Sequence, residues 1–316
     1  MAAVQDSPKY LDKAGTTERI LARMREAAGE GVSLVVFGET FLPGYPSWLS
    51  VTGGAAFDDA AQKAAYAQYV EAAVRLDGPE LGAIVGLAAE LGIAVVLGVV
   101  ERAPGPASAS VYCSAVSIDP ERGIVNCHRK LVPTWEERLV WTPGDGHGLR
   151  VHELAGTPVS VLNCWENWMP QARFALWAQA PAVHIALWPG SVRLTKDITR
   201  FAALEGRCFV ISAGAAMARE DLDGFVLRDL LPQSDSFLPS GGSAIAGPDG
   251  QWLVEPRALE RGLIIAELEL EAVLRERHNL DVAGHYHRPD VFRYTIDDSR
   301  RGPIGLGLDP SEPREP

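Results

Sequence analysis

The sequence predicts an α/β sandwich, and three features predict it. Short apolar runs rich in valine and isoleucine recur along the whole chain, with the length and composition of strands. Several are apolar at every position rather than at alternate ones, as in a sheet covered on both faces. Helical patterns separate the early runs, whereas later runs follow one another through turns such as DPERG at 119–123, AGTP at 155–158 and GPDG at 247–250. An α/β sandwich accounts for this mixture.

In chain order, a strand at 2–5 (AAVQ) precedes a helix at 16–29. That helix sets Ile20, Leu21, Met24 and Ala27 on one face, and Thr16 or Thr17 can cap its start. A strand at 33–37 (SLVVF) leads to helices at 57–76 and 79–91, the second opening on Pro79. Strands are expected at 93–100, 110–118, 122–129, 149–153 and 158–163, then a helix at 170–179, a strand at 183–188, a helix at 195–206 and a strand at 208–213. The polar stretch 218–241 reads as a loop insert over the core, and strands follow at 242–247, 251–254 and 262–268. No composition shift marks a linker and no short repeat is present. A single domain over 1–295 with a flexible C-terminal tail at 296–316 is expected, the tail being rich in proline, glycine and charge.

The composition narrows the class of function. Of 316 residues, 47% are hydrophobic and 22% charged, which suits a soluble globular chain with a sizeable core. Lys plus Arg is 29 against 41 Asp plus Glu, a net charge of −12, which argues against nucleic-acid or anionic-membrane partners. No apolar run is long enough to span a bilayer. The start, MAAVQDSPKY, lacks a basic region followed by an apolar stretch, so a cytoplasmic protein is expected. Cys113, Cys127, Cys164 and Cys208 show no CxxC spacing, so neither zinc nor a disulfide framework is expected.

Three places join an apolar strand to an abrupt turn carrying an ionisable residue, where sites are usually built. In VVFGETFLPGYPSW a strand ends at Phe37 and Glu39 follows among Phe37, Phe41, Tyr45 and Trp48. An exposed loop carboxylate is the ordinary outcome, but burial among aromatics would raise its pKa and suit it to act as a general base. In NCHRKLVPTWEERLVWTPGDG a strand runs into Lys130, with Glu136 and Glu137 following between Trp135 and Trp141. In VSVLNCWENWMP a strand ends at Asn163 with Cys164 at the turn. A buried, inert thiol is the bland alternative there; a nearby cation or helix start would lower the thiol pKa and yield a thiolate. A nucleophilic cysteine needs a base and a group to hold developing negative charge. Glu39 and Lys130 supply these. His128 lies two residues before Lys130 in an extended segment and points to the same side, so a Cys164–His128 pair is the rival arrangement. His184 lies inside a strand and is read as structural.

In these residues the chain resembles the nitrilases, a branch of the carbon–nitrogen hydrolase superfamily. The pieces that carry the resemblance are FGETFLPGYP, HRKLVPTWEERLVW and NCWENWMP, supported by HIALWPG at 184–190, ITRFAALEGRCFVISA at 198–213, GGSAIAGPDG at 241–250 and LDVAGHYHRPDVF at 280–292. The resemblance implies a four-layer α-β-β-α sandwich with a Glu-Lys-Cys site and no metal or cofactor. Cys164 would be the nucleophile, Glu39 the general base and acid, and Lys130 the stabiliser of the tetrahedral intermediate. Glu137 would position the lysine or substrate, Glu136 being the poorer match. Attack on a nitrile carbon would give a thioimidate, loss of ammonia a thioester, and hydrolysis the carboxylic acid. CWENW implies nitrile rather than amide hydrolysis. The Trp165 backbone N–H would serve an oxyanion, and Trp165, Tyr45, Trp135 and Trp188 would line an apolar pocket, with His128 beside the substrate. The expected partners are a small-molecule nitrile and further copies of the chain in a homodimer or larger homo-oligomer. The short tail argues against the extended spirals of members with longer C-terminal segments. An aliphatic amidase or a cyanide-hydrolysing enzyme is the alternative on the same scaffold. A non-enzymatic scaffold would lack Glu39, Lys130 or Cys164, and all three are present.

Overall fold

The protein is described here by a computed structural model covering residues 1–104 and 109–301. In its first half, β1 (Ala2–Gln5), α1 (Lys13–Gly29), β2 (Leu34–Leu42), α2 (Ala60–Ala72), α3 (Pro79–Leu91), β3 (Ala94–Arg102), β4 (Val111–Asp119) and β5 (Gly123–Arg129) follow in order. The second half comprises β6 (His152–Leu154), β7 (Thr157–Asn163), α4 (Pro170–Trp177), β8 (Val183–Trp188), α5 (Val192–Thr195), α6 (Ile198–Gly206), β9 (Phe209–Gly214), β10 (Ala244–Ala246), β11 (Trp252–Val254), β12 (Gly262–Ile265) and α7 (Glu271–Arg277). Among the described residues these strands form two six-stranded sheets, ordered β12-β1-β2-β3-β4-β5 and β11-β10-β9-β8-β7-β6. Each sheet has three parallel strands at its centre, β1-β2-β3 and β9-β8-β7, with antiparallel strands outside.

The layers follow from strand periodicity. In β2, Leu34 and Val36 face the second sheet, while Val35 and Phe37 face α1 and α3. In β8, Val183, Ile185 and Leu187 enter the inter-sheet core, while Ala186 and Trp188 pack under α4 and α6. Both faces are apolar because both are covered, giving a four-layer α-β-β-α sandwich. A further apolar cluster closes one end, where Trp48, Tyr69 and Trp141 meet Leu222, Phe225, Leu227, Leu231 and Leu238. The stretch 218–241 does lie over the core as a loop insert, pinned there by these apolar side chains. Among the described residues, no helix is long and apolar enough to cross a membrane.

Several local expectations change. Helix α1 starts earlier, because the Asp12 side chain caps it by accepting from the Gly15 N–H at 2.9 Å. Thr16 is spent instead on the Lys9 backbone, and Thr17 back-bonds to the Lys13 carbonyl. Helix α7 lies in the stretch after the last strand, where no helix was expected. Strand β2 does not stop at Phe37. Phe37 pairs with Leu97 and Leu42 with Val99, so Gly38–Phe41 bulge opposite the single residue Gly98. Of the tail expected over 296–316, residues 302–316 lie outside the described residues. Ahead of them, Arg300 donates to the Cys127 carbonyl at 2.6 Å and to Asp145 at 3.1 Å, and the Arg301 N–H donates to Asp145 at 3.0 Å.

The bulge needs a strand neighbour without a side chain. A Cβ at Gly98 would lie 2.1 Å from the Gly38 carbonyl oxygen and 2.5 Å from the Thr40 nitrogen. Gly38 is pressed from the other sheet, where the Trp188 carbonyl oxygen would lie 2.9 Å from an added Cβ. We therefore expect Gly98→Ala to force the bulge off β3, costing about 2 kcal/mol of stability and displacing Glu39. Thermal unfolding beside an activity assay checks this; an unchanged midpoint with full activity would show that the bulge has room to spare.

Candidate active site

The candidate residues gather where four chain segments leave their strands at one end of the sandwich. Glu39 comes from the β2 bulge, Lys130 follows β5, and Cys164 follows β7. The loop after β8 completes the rim. In open α/β sheets this end of the parallel strands is where ligands bind.

Lys130 is the hub. Its ammonium donates to Glu39 Oε1 at 2.8 Å and to Glu137 Oε2 at 2.6 Å, and the side chain is 1% exposed. Glu137 Oε2 also accepts the Thr134 N–H, and its Oε1 accepts the Tyr45 hydroxyl at 2.8 Å. Glu39 Oε1 receives the Cys113 thiol at 3.5 Å, whereas its buried Oε2 has no hydrogen-bond partner among the described residues. One donor atom from each of Glu39, Glu137 and Cys164 lies within 4.8 Å of the other two. Such a set can hold a cation, and Lys130 already supplies one to both carboxylates.

Cys164 begins a tight helical turn, Cys164–Trp168, with φ at +50°. A side-chain-bearing residue there is strained, and such strain collects at functional turns. Two buried side chains fix the turn. Asn167 donates through Nδ2 to the Cys164 carbonyl at 2.9 Å, so its Oδ1 accepts from His184 Nε2 at 2.9 Å and His184 Nδ1 accepts from Ser160 at 2.8 Å. Burial pushes the His184 pKa down to about 3, which keeps the ring neutral and in this structural role. Glu166 accepts the Asn163 N–H at 2.8 Å, the Leu131 N–H at 2.6 Å and His128 Nε2 at 3.0 Å. It therefore ties the nucleophile turn of one sheet to the lysine segment of the other.

The electrostatics correct one expectation. Burial raises the Cys164 pKa well above that of an ordinary thiol, the nearby Glu39 charge adds to this, and Lys130 only partly opposes it. Cys164 is a neutral thiol at rest, not a standing thiolate. Burial raises Glu39 to about 7 against the pull of Lys130. Burial alone would lower Lys130, but the Glu39 and Glu137 carboxylates beside it hold it well above the lysine range. The arrangement is a neutral thiol beside a carboxylate poised to accept its proton.

A cleft of about 350 Å³ opens onto Cys164, lined by Tyr45, Ser47, Thr134, Glu137, Trp165, Ser191, Arg193 and the 236–240 segment, among others. Tyr45 and Trp165 stand at the cleft. Trp188 does not: it is fully buried under α4 and α6, its indole N–H directed at Ser212 Oγ at 3.3 Å. Trp135 is 78% exposed and does not line the cleft. His128 is buried against Glu166 and absent from the lining, so the rival Cys164–His128 pair does not form. The cleft is also more polar than expected. Its hydroxyl residues and Arg193 come from segments brought in by tertiary folding; the serines of 234–240 were the visible signal.

The profile of the carbon–nitrogen hydrolase family matches residues 1–276. The chain is 38% identical over 304 residues to "Nitrilase 2" of an unknown prokaryotic organism, covering 95% of this chain and 93% of that protein. It is 36% identical over 308 residues to an arylacetonitrilase of Trametes versicolor, covering 93% of each. The fold is shared with an amidase from Nesterenkonia sp. at a TM-score of 0.62 and 21% identity, covering 88% of this chain and 93% of that one.

The Glu166 clamp yields a direct expectation. Glu166→Ala leaves an imidazole and two backbone N–H groups buried without their acceptor, and should lower stability by about 3 kcal/mol. Urea unfolding measures it, and a loss under about 1 kcal/mol would show that the clamp contributes no more than a surface pair.

Proposed function

The chain belongs to the carbon–nitrogen hydrolase family, and from that premise we propose that it is a nitrilase, converting an organic nitrile to a carboxylic acid and ammonia. The observation that carries this is the burial of Cys164, Glu39 and Lys130 together at one end of the sandwich, in a chain alike over its length to nitrilases.

Glu39 takes the thiol proton as Cys164 Sγ attacks the nitrile carbon, and that proton passes to the nitrile nitrogen to give a thioimidate. Water, deprotonated by Glu39, adds to the thioimidate carbon; the nitrogen is protonated and leaves as ammonia, giving a thioester. A second water, activated in the same way, releases the acid and restores the thiol. Lys130 carries positive charge beside the anionic intermediates, and the Trp165 backbone N–H, which already faces the sulfur, is the donor for developing negative charge. Glu137 holds Lys130 in place and is itself held by Tyr45. A homodimer or larger homo-oligomer is supported by the apolar residues Trp168, Phe201 and Leu204, left 38–46% exposed on the outer helical layer.

Ammonia release from matched nitriles and amides tests the activity. We expect turnover of nitriles, none of amides, and none of either by Cys164→Ala. Turnover of amides alone would move the protein to the amidases. The pH dependence has a definite sign. Glu39 acts only when ionised, and its pKa is about 7, so kcat/KM should rise with pH through about 7 and level off above it. A profile flat from pH 5.5 to 8.5 (roughly 1.5 units either side of that pKa) would remove Glu39 as the base.

A further inference from the structure

The catalytic cleft holds a charge that the mechanism does not use. Two of its lining residues carry acidic or basic side chains, Glu137 and Arg193. Glu137 is saturated by Lys130, Tyr45 and the Thr134 N–H. Arg193 is exposed and, among the described residues, its guanidinium has neither an ion pair nor a hydrogen bond. Most other arginines near the body of the fold are committed, as Arg129 is to Glu101 and Arg173 to Glu205. The backbone that carries Arg193 is firmly placed. Helix α5 is anchored by the buried Thr195, whose hydroxyl donates to the Gly242 carbonyl at 2.6 Å. The cleft wall also carries the hydroxyl residues Ser47, Ser191 and Ser236.

Resting on the nitrilase reading above, we propose that Arg193 recognises an anionic group on the substrate, and that the substrate class is a short nitrile carrying a carboxylate. A guanidinium pairs with a carboxylate through two parallel hydrogen bonds. The cleft, at about 350 Å³, sits at the small end of ligand pockets, which suits a molecule spanning from Cys164 to Arg193 and little more. The net charge of −12 does not oppose this, because screening beyond about 8 Å at physiological ionic strength leaves the local guanidinium dominant. The reaction consumes two waters, releases ammonium, and leaves a dicarboxylate.

The test compares 3-cyanopropanoate with 4-oxopentanenitrile, in which a methyl ketone replaces the carboxylate, in wild type, Arg193→Met and Arg193→Lys. The readout is the ratio of kcat/KM for the anionic over the neutral nitrile. We expect a ratio of about tenfold or more in wild type, a collapse towards unity in Arg193→Met, and partial recovery in Arg193→Lys. A wild-type ratio at or below unity overturns the proposal, as does a ratio that Arg193→Met leaves unchanged. If neither nitrile releases ammonia but the matching amides, succinamate and 4-oxopentanamide, do, the nitrilase reading fails by itself. The same ratio on the amide pair then decides the role of Arg193. Turnover of neither pair by an enzyme active on other nitriles overturns the proposal.

Discussion

A buried ammonium between two buried carboxylates governs this structure. Removing an ion from water costs several kcal/mol even after relaxation, and Lys130, Glu39 and Glu137 are all under 5% exposed. Such a cluster persists only if its members meet at hydrogen-bond distance and nothing lets them part. Much of the local architecture follows from that demand. The β2 bulge turns Glu39 towards the lysine, Gly98 makes room for the bulge, and Tyr45 and the Thr134 N–H hold Glu137. The aromatic shell of Tyr45 and Trp141 keeps water from the cluster, Trp141 lying 5.2 Å from the Lys130 ammonium. Sequence features that look unrelated, a glycine inside a strand and a tyrosine before a proline, are parts of one electrostatic requirement.

The second demand is alignment across two sheets that, among the described residues, share no hydrogen-bonded strand. Lys130 and Glu39 belong to the first sheet and Cys164 to the second. Apolar packing between the sheets sets their separation but not their register, because dispersion and hydrophobic contact carry little directional information. Glu166 supplies direction. Three donors from both sheets converge on its carboxylate, and they hold its pKa below the ordinary value although burial pushes the other way. The residue two places after the nucleophile thus orients the turn that presents it.

The strands were legible because a sandwich covered on both faces writes itself as continuous Val- and Ile-rich runs, of which β3 and β8 are plain examples. The three catalytic candidates were legible because each interrupts such a run with an ionisable residue. What was not legible depended on tertiary choice. Asp12 and Thr16 are both competent caps, and only the position of the Lys9 backbone decides between them. Trp188 and Trp165 both flank catalytic strands, but strand alternation sends Trp188 under α6 while the turn turns Trp165 outwards. His128 reads from the sequence as a rival base beside the substrate, but its partner is Glu166, 38 residues away, which no local pattern reveals. The polar wall of the cleft comes from the 236–240 segment, whose placement depends on Leu222, Phe225 and Leu238 entering a distant apolar cluster.

The neutral thiol explains why such a cluster can work as a catalyst rather than merely survive. With the Lys130 ammonium paired to Glu137, the remaining pair, Glu39 and Cys164, shares one proton. The cluster then carries one net negative charge. Ionising both would double it within a buried site, which is why burial holds both Glu39 and Cys164 above their ordinary values. Attack on a nitrile escapes the restriction. As the carbon–sulfur bond forms, the thiol proton passes by way of Glu39 to the nitrogen, so sulfur loses its charge to a covalent bond and the net charge of the cluster is unchanged. Water addition and ammonia loss repeat the same exchange. The low dielectric that penalises a free thiolate therefore does not penalise the reaction, and it strengthens the pull of Lys130 on each anionic intermediate.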